Sequence, residues 1–126
     1  MKNRKMKIYL SGPISEIIEK DCLATAKRIF KQAENKLRRW GYEVENPMEN
    51  GLPTYATWEQ HMEVDIKMLL RCDIICFLHT CDLYPSDGVI VEKIYARKKG
   101  LREVREVIDE TGISFYNYQL DETLKL

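Results

Sequence analysis

The stretch 73–78 (DIICFL) constrains the fold more than any other part of the chain, because after its opening aspartate it is continuously apolar and of strand length. A strand with one wet face would alternate apolar and polar residues, so the unbroken run suits a central parallel strand covered on both faces. Its flanks agree with that reading. Residues 6–11 (MKIYLS) form a short strand closed by Gly12-Pro13. Cys22, Ala26, Ile29, Phe30, Ala33, Leu37 and Trp40 then recur at helical spacing until Gly41 stops the helix, and 42–45 is a second short strand ended by Asn46-Pro47. A loop rich in Gly, Pro and Thr (48–57) leads to a helix predicted over 58–72. Beyond the central strand come a polar loop (79–86), a helix ending near Gly100, an amphipathic helix over 101–111 and a last strand over 113–118 (ISFYNY).

This β-α-β-α-β-α-α-β order predicts one domain spanning 1–126, an α/β three-layer αβα sandwich of flavodoxin or Rossmann type. Its sheet is expected to be mainly parallel, of four or five strands, in an order of about 2-1-3-4 with a possible edge strand. With 126 residues, 44% of them hydrophobic, the chain can build one core and has no room for a second. Lysine plus arginine and aspartate plus glutamate number 20 each, and the basic clusters Arg38-Arg39 and Arg97-Lys98-Lys99 are interleaved with acids, so no nucleic-acid partner is expected. No segment approaches the roughly 18 to 20 apolar residues of a membrane span, and residues 1–7 are basic rather than a signal core, so a cytoplasmic protein is expected. Cys22, Cys72, Cys76 and Cys81 make no CxxC pair and lack zinc spacing with His61 or His79; buried free thiols and no metal are the expectation.

Two carboxylates stand out. Asp65 falls on the apolar stripe of its helix, with Trp58, Met62 and Leu69 within about 60° of it around the axis. A carboxylate there must be paired, raise its pKa or open onto a polar cavity. Lys67 and Arg71 are the basic neighbours for a purely structural pair. The run Ser86-Asp87-Gly88-Val89-Ile90-Val91-Glu92 reads as a turn entering a helix, with Glu92 in its first turns. Ligands of open parallel sheets bind beyond the carboxyl ends of the strands, where the loops 11–15, 46–57 and 79–88 gather. The first of these offers backbone N–H groups and the hydroxyls of Ser11 and Ser15, but it is neither GxGxxG nor a phosphate loop, which argues against a Rossmann dehydrogenase or a P-loop kinase. Two acids roughly 5 Å apart at such an edge suit glycosidic chemistry of the retaining kind.

The segments KIYLSGPIS, GYEVENP, WEQHMEVDIKMLLRCDIICFL and SDGVIVEKIYARKKG, in that order, resemble the nucleoside 2-deoxyribosyltransferase superfamily, which includes the 2'-deoxynucleoside 5'-phosphate N-hydrolases. They resemble in particular its small phage and bacterial branch, DUF4406. The resemblance implies that Glu92 is the nucleophile of the pattern S/D-x-G-x-x-x-E and that Asp65 is the acid on the helix before the third strand. It implies that Ser86 and Gly88 hold the sugar or its phosphate, and that Tyr9 and Gly12 match the Y-x-x-G start of the first loop, which closes over the nucleotide; the Ser11 hydroxyl in that loop is a further substrate-binding candidate. Ser15 and Glu16 stand where the N-hydrolases carry a phosphate-gripping arginine and further glycines, which tilts the expectation toward a nucleoside.

The implied reaction is cleavage of the N-glycosidic bond of a 2'-deoxyribonucleoside or its 5'-monophosphate through a covalent deoxyribosyl-Glu92 intermediate, resolved by another base or by water, with no cofactor. Tyr55 and Trp58 are placed to stack on the base. The alternative is a non-catalytic nucleotide-binding or signalling module on the same fold. The family's shared sites, together with Phe115, Tyr116 and Tyr118 read as exposed aromatics, imply a homodimer or higher homo-oligomer, with Asn117 the candidate residue lent by a partner.

Overall fold

The computed structural model describes residues 5–53, 55–117 and 122–124. Six strands form one sheet in the order β2-β1-β3-β4-β5-β6. They are β1 (Lys7–Ser11), β2 (Glu43–Glu45), β3 (Ile74–Phe77), β4 (Arg102–Asp109), β5 (Gly112–Asn117) and β6 (Glu122–Thr123). The first four strands run parallel and the last two pairings are antiparallel. Four helices, α1 (Ile14–Lys20), α2 (Leu23–Arg39), α3 (Trp58–Leu69) and α4 (Asp87–Lys99), make the connections. None of the described helices is long and apolar enough to cross a membrane.

Strand periodicity divides the core in two. Ile8, Leu10, Ile74 and Cys76 point to the face covered by α2, where they meet Ala26, Phe30, Ala33 and Leu37. Tyr9, Ile75 and Phe77 point to the other face, against Met68 and Leu69 of α3 and Ala96 of α4. Every residue of β3 is buried, as the apolar run at 73–78 predicts. The 2-1-3-4 order also holds, and with it a reversal of strand order at β1 and β3. The connection leaving β1 covers one face while the connections entering and leaving β3 cover the other, so a crevice opens between them.

The segment predicted as a helix over 101–111 is strand β4. Its Val104, Val107 and Ile108 have spacing compatible with a helix, but two local signals and one distant one decide otherwise. Gly100, at φ 82°, ends α4 in the left-handed conformation and sends the chain straight back along the sheet. The turn Asp109-Glu110-Thr111-Gly112 closes a hairpin in which the Asp109 side chain accepts from the Thr111 N–H at 2.8 Å. The distant signal is the open edge of β3, whose backbone groups pair with β4 from Ile74 opposite Arg102 to Phe77 opposite Arg105. The fourth parallel strand is therefore 102–109, and the predicted strand over 113–118 becomes antiparallel β5; Tyr118 lies outside the described residues. Phe115, expected to be exposed, is fully buried and meets Trp40 edge to face at 5.7 Å. Asn117 is buried within its own chain. A further helix, α1, precedes the predicted one and buries Ile17.

Candidate active site

Beyond the carboxyl ends of β1, β2 and β3 lies a cavity of about 310 Å³. Its walls include Gly12 from the loop after β1, Asn50 from the loop after β2, Trp58, His61 and Asp65 from α3, and Ser86, Gly88 and Glu92 from the start of α4. Each element enters it for a local reason. α3 starts where a capping box fixes it: Gln60 N–H donates to Thr57 Oγ1 at 3.1 Å and Thr57 N–H donates to Gln60 Oε1 at 2.8 Å. α4 starts at Ser86, whose Oγ accepts from the Val89 N–H at 3.3 Å. Gly12 is required by contact, since a Cβ there would stand 2.8 Å from Phe30 Cζ and 3.3 Å from Leu78 Cδ1. Gly88 is less crowded, with Met62 Sδ at 3.4 Å from the same construction.

Glu92 is 5% exposed and, among the described residues, is held by hydroxyls alone. Tyr9 OH donates a short hydrogen bond to its Oε2, and Ser11 Oγ donates to its Oε1 at 2.7 Å. The two hydroxyls are two residues apart on β1, so they share the face of the strand that looks at α4. Burial pushes the Glu92 carboxyl upward, these hydrogen bonds pull it down, and the charge of Asp65 pushes it up again, leaving it at about 8. Burial, followed by the charges of Glu92 and Asp65, raises Tyr9 well above an ordinary phenol and keeps it a proton donor.

Asp65 is 5% exposed. Its Oδ1 accepts from Asn50 Nδ2 at 2.9 Å, and the same nitrogen lies 3.0 Å from His61 Nδ1. Burial raises Asp65 to about 6, against the opposing effects of Asn50 and His61. The structural pairings with Lys67 or Arg71 are excluded: Lys67 pairs with Glu63 at 3.7 Å and Arg71 with Glu45 at 2.8 Å.

Of the expected site residues, Glu92, Asp65, Gly12, Ser86 and Gly88 line one cavity. Tyr9 and Ser11 do not line it. Both are fully buried behind Glu92, and their hydroxyls donate to that carboxylate. Trp58 borders the cavity, whereas Tyr55 is 89% exposed and stands off it. Asn50 and His61 are site residues that sequence reasoning missed. A signal for His61 existed, since it precedes Asp65 by four residues and so shares its helix face. Among the described residues no group of three or more His, Cys, Asp or Glu side chains could hold a metal ion.

The sequence pattern of the family described as "Domain of unknown function (DUF4406)" matches residues 6–105. This chain is a DUF4406 protein. Comparison of its sequence with curated proteins finds no match. Solved structures with the fold of this DUF4406 chain include a CMP N-glycosidase, BcmB, from Clostridium botulinum, at TM-score 0.52 and 18% identity over 79% of this chain and 69% of the other. A 2-deoxyribosyltransferase from Leishmania mexicana aligns at TM-score 0.58 and 18% identity over 82% of this chain and 65% of the other. Another, from Bacillus psychrosaccharolyticus, aligns at TM-score 0.54 and 24% identity over 83% and 78%. The mainly parallel α/β architecture of the DUF4406 chain is therefore that of nucleoside 2-deoxyribosyltransferases.

Proposed function

We propose that the protein cleaves the N-glycosidic bond of a 2'-deoxyribonucleoside or its 5'-monophosphate, with Glu92 as nucleophile and Asp65 as proton donor. One observation carries the reading: a buried glutamate with two hydroxyl donors and, among the described residues, no cation shares a 310 Å³ cavity with a second buried acid whose charge acts on it. An ion pair would have anchored the carboxylate and quenched its reactivity; hydroxyls orient it and leave it available. The neighbouring structures named for CMP N-glycosidase and 2-deoxyribosyltransferase activity support the same class of reaction.

In this mechanism the ionised Glu92 attacks C1' and forms an ester bond as the C1'–N bond breaks. The electron pair of that bond leaves with the base, which takes a proton from Asp65. Water or a second base then attacks C1', its proton passes to Asp65, and Glu92 is released as a carboxylate. The cycle needs one proton shared between the two acids; with Asp65 at about 6 and Glu92 at about 8 that singly protonated pair peaks near pH 7, its proton mostly on Glu92, and the reactive arrangement, Glu92 ionised and Asp65 protonated, is the minor of its two forms.

Trp58, half-exposed at the cavity rim, is placed to stack on the base. The cavity wall carries both Glu16 and Lys27, a balance that suits a neutral nucleoside better than a phosphate dianion. Four free cysteines fit a reducing cytoplasm. Assembly as a homodimer is supported by Ile90 and Ile94, which lie one turn apart and exposed on α4 beside the site.

The test is direct. The protein is incubated with ribo- and deoxynucleosides and their 5'-monophosphates, with and without a free acceptor base, and released or exchanged base is separated by chromatography. The expected result is base release that Glu92→Ala abolishes. Nucleotide binding without any release identifies the non-catalytic module instead.

A further inference from the structure

We infer that His61 reads the departing base, presenting a fixed Nε2–H donor to a bare acceptor, a ring nitrogen or carbonyl oxygen, of a nucleobase held in the cavity; Asn50 is the residue that sets this donor. The inference rests on the reading of the cavity as a nucleoside site, and on a chain of hydrogen bonds that leaves one tautomer.

The chain starts at the backbone. Leu52 N–H can only donate, and the atom it meets at 3.0 Å is Asn50 Oδ1. This fixes the amide, so its NH₂ end faces α3. One of the two amide hydrogens goes to Asp65 Oδ1 at 2.9 Å, because a carboxylate oxygen accepts. The other meets His61 Nδ1 at 3.0 Å, so that ring nitrogen must accept and carry no hydrogen. The imidazole proton then sits on Nε2. Among the described residues no hydrogen bond reaches Nε2, and His61 lines the cavity four residues from Asp65. Asp65 and His61 are thus set by one amide: the first gives a proton to the leaving base, and the second gives it a hydrogen bond.

The molecule contains its own control. The only other histidine, His79, has its Nδ1 3.0 Å from Glu106 Oε1, an acceptor, so its hydrogen is on Nδ1. The two histidines are expected in opposite tautomers.

The first measurement is a long-range ¹H–¹⁵N spectrum of the wild-type protein at pH 8, with His79→Gln to assign the rings. His61 is expected as the Nε2–H tautomer and His79 as Nδ1–H; His61 as Nδ1–H overturns the inference. Asn50→Ala is expected to release His61 into a mixture of tautomers.

The second is equilibrium binding by calorimetry, using deoxyadenosine, deoxyguanosine, deoxycytidine and their 3-deaza, 7-deaza or 2-deoxo analogues. One acceptor-lacking analogue is expected to bind wild type about threefold to tenfold more weakly than its parent, the range of one hydrogen bond. That gap is expected to close in His61→Phe and to narrow in Asn50→Ala. A gap that persists unchanged in both variants, or the absence of nucleoside binding altogether, overturns the inference. If a variant does not fold, the wild-type tautomer and the analogue series decide. Wild-type binding with no base release overturns the proposed reaction while this inference stands.

Discussion

Glu34 on α2 and Glu92 on α4 are both buried helical glutamates, 5% exposed each, yet they are pushed in opposite directions. Burial raises both. At Glu34 it is outweighed by hydrogen bonds from Asn46 Nδ2 at 3.0 Å and Arg38 Nε at 2.7 Å and by the charge of Lys31, which hold the carboxyl at about 2. At Glu92 the partners are neutral hydroxyls and the nearby charge, on Asp65, has the same sign, so the carboxyl rises to about 8. The first region is a clamp: Arg38 also reaches Val44 O at 3.0 Å, tying α2 to β2. The second stores a reactive group. Exposure is the same, but Glu92 lies deeper, so burial raises it more, and its neutral partners do not offset that rise as the cations and amide do at Glu34.

The largest expected effect separates the two on activity. Glu92→Ala lowers base release by at least about a thousandfold, the loss typical of a missing nucleophile, while Glu34→Gln leaves it within about twofold. Initial rates on the preferred nucleoside check both.

Stability against pH sharpens the contrast. Above the ordinary glutamate range the unfolded chain loses the Glu92 proton that the folded protein keeps. The stability contributed by its raised carboxyl is therefore full below pH 4.5 and is lost as pH rises to about 8. Glu92→Gln is expected to stabilise the protein at pH 8 by up to about 4 kcal/mol and to change little at pH 4. Glu34 carries the opposite sign: its contribution is present above pH 4.5 and lost as pH falls toward 2, so Glu34→Gln destabilises at neutral pH. Denaturant titrations at pH 4, 6 and 8 measure this, and parallel curves for the two variants would break the comparison.

Asp65→Asn is expected to cost about a hundredfold in kcat, the usual worth of a positioned proton donor, and less with a base that departs readily. Burst kinetics on two such substrates distinguish the cases. The smallest effect belongs to Tyr9→Phe, at about tenfold. Wild-type kcat/KM is expected to trace a bell with limbs near pH 6 and 8. Removing the Tyr9 hydrogen bond, which lowers the Glu92 carboxyl, moves the upper limb to higher pH. An unmoved limb would show that Tyr9 packs beside Glu92 without tuning it.

Much of the site is local in sequence. Gly12-Pro13 and the Ser86-Asp87-Gly88 turn announce loops at strand ends, and Asp65 is conspicuous because an apolar stripe denies a carboxylate the water it needs. In the sequence Tyr9 and Ser11 read as ligand-facing, because a hydroxyl at a strand end has the same letter whether it meets a substrate or a carboxylate. Only the approach of α4 to β1 spends them on Glu92. Asn50 was silent for the same reason: its role depends on the loop after β2 folding over α3. The misread segment 101–111 follows the same logic, since its pattern tolerates either period and the open edge of β3 chose the strand.

The sequence by itself determined the alternation of elements, the buried central strand and the two acids, because periodicity, caps and an out-of-place charge act over a few residues. The tertiary structure alone decided which groups surround each acid. The hydroxyls on Glu92 come from a strand 81 and 83 residues away and the amide on Asp65 from a loop 15 residues away, and a carboxyl's proton affinity depends on burial and neighbouring charge that exist only once the sheet has brought them together.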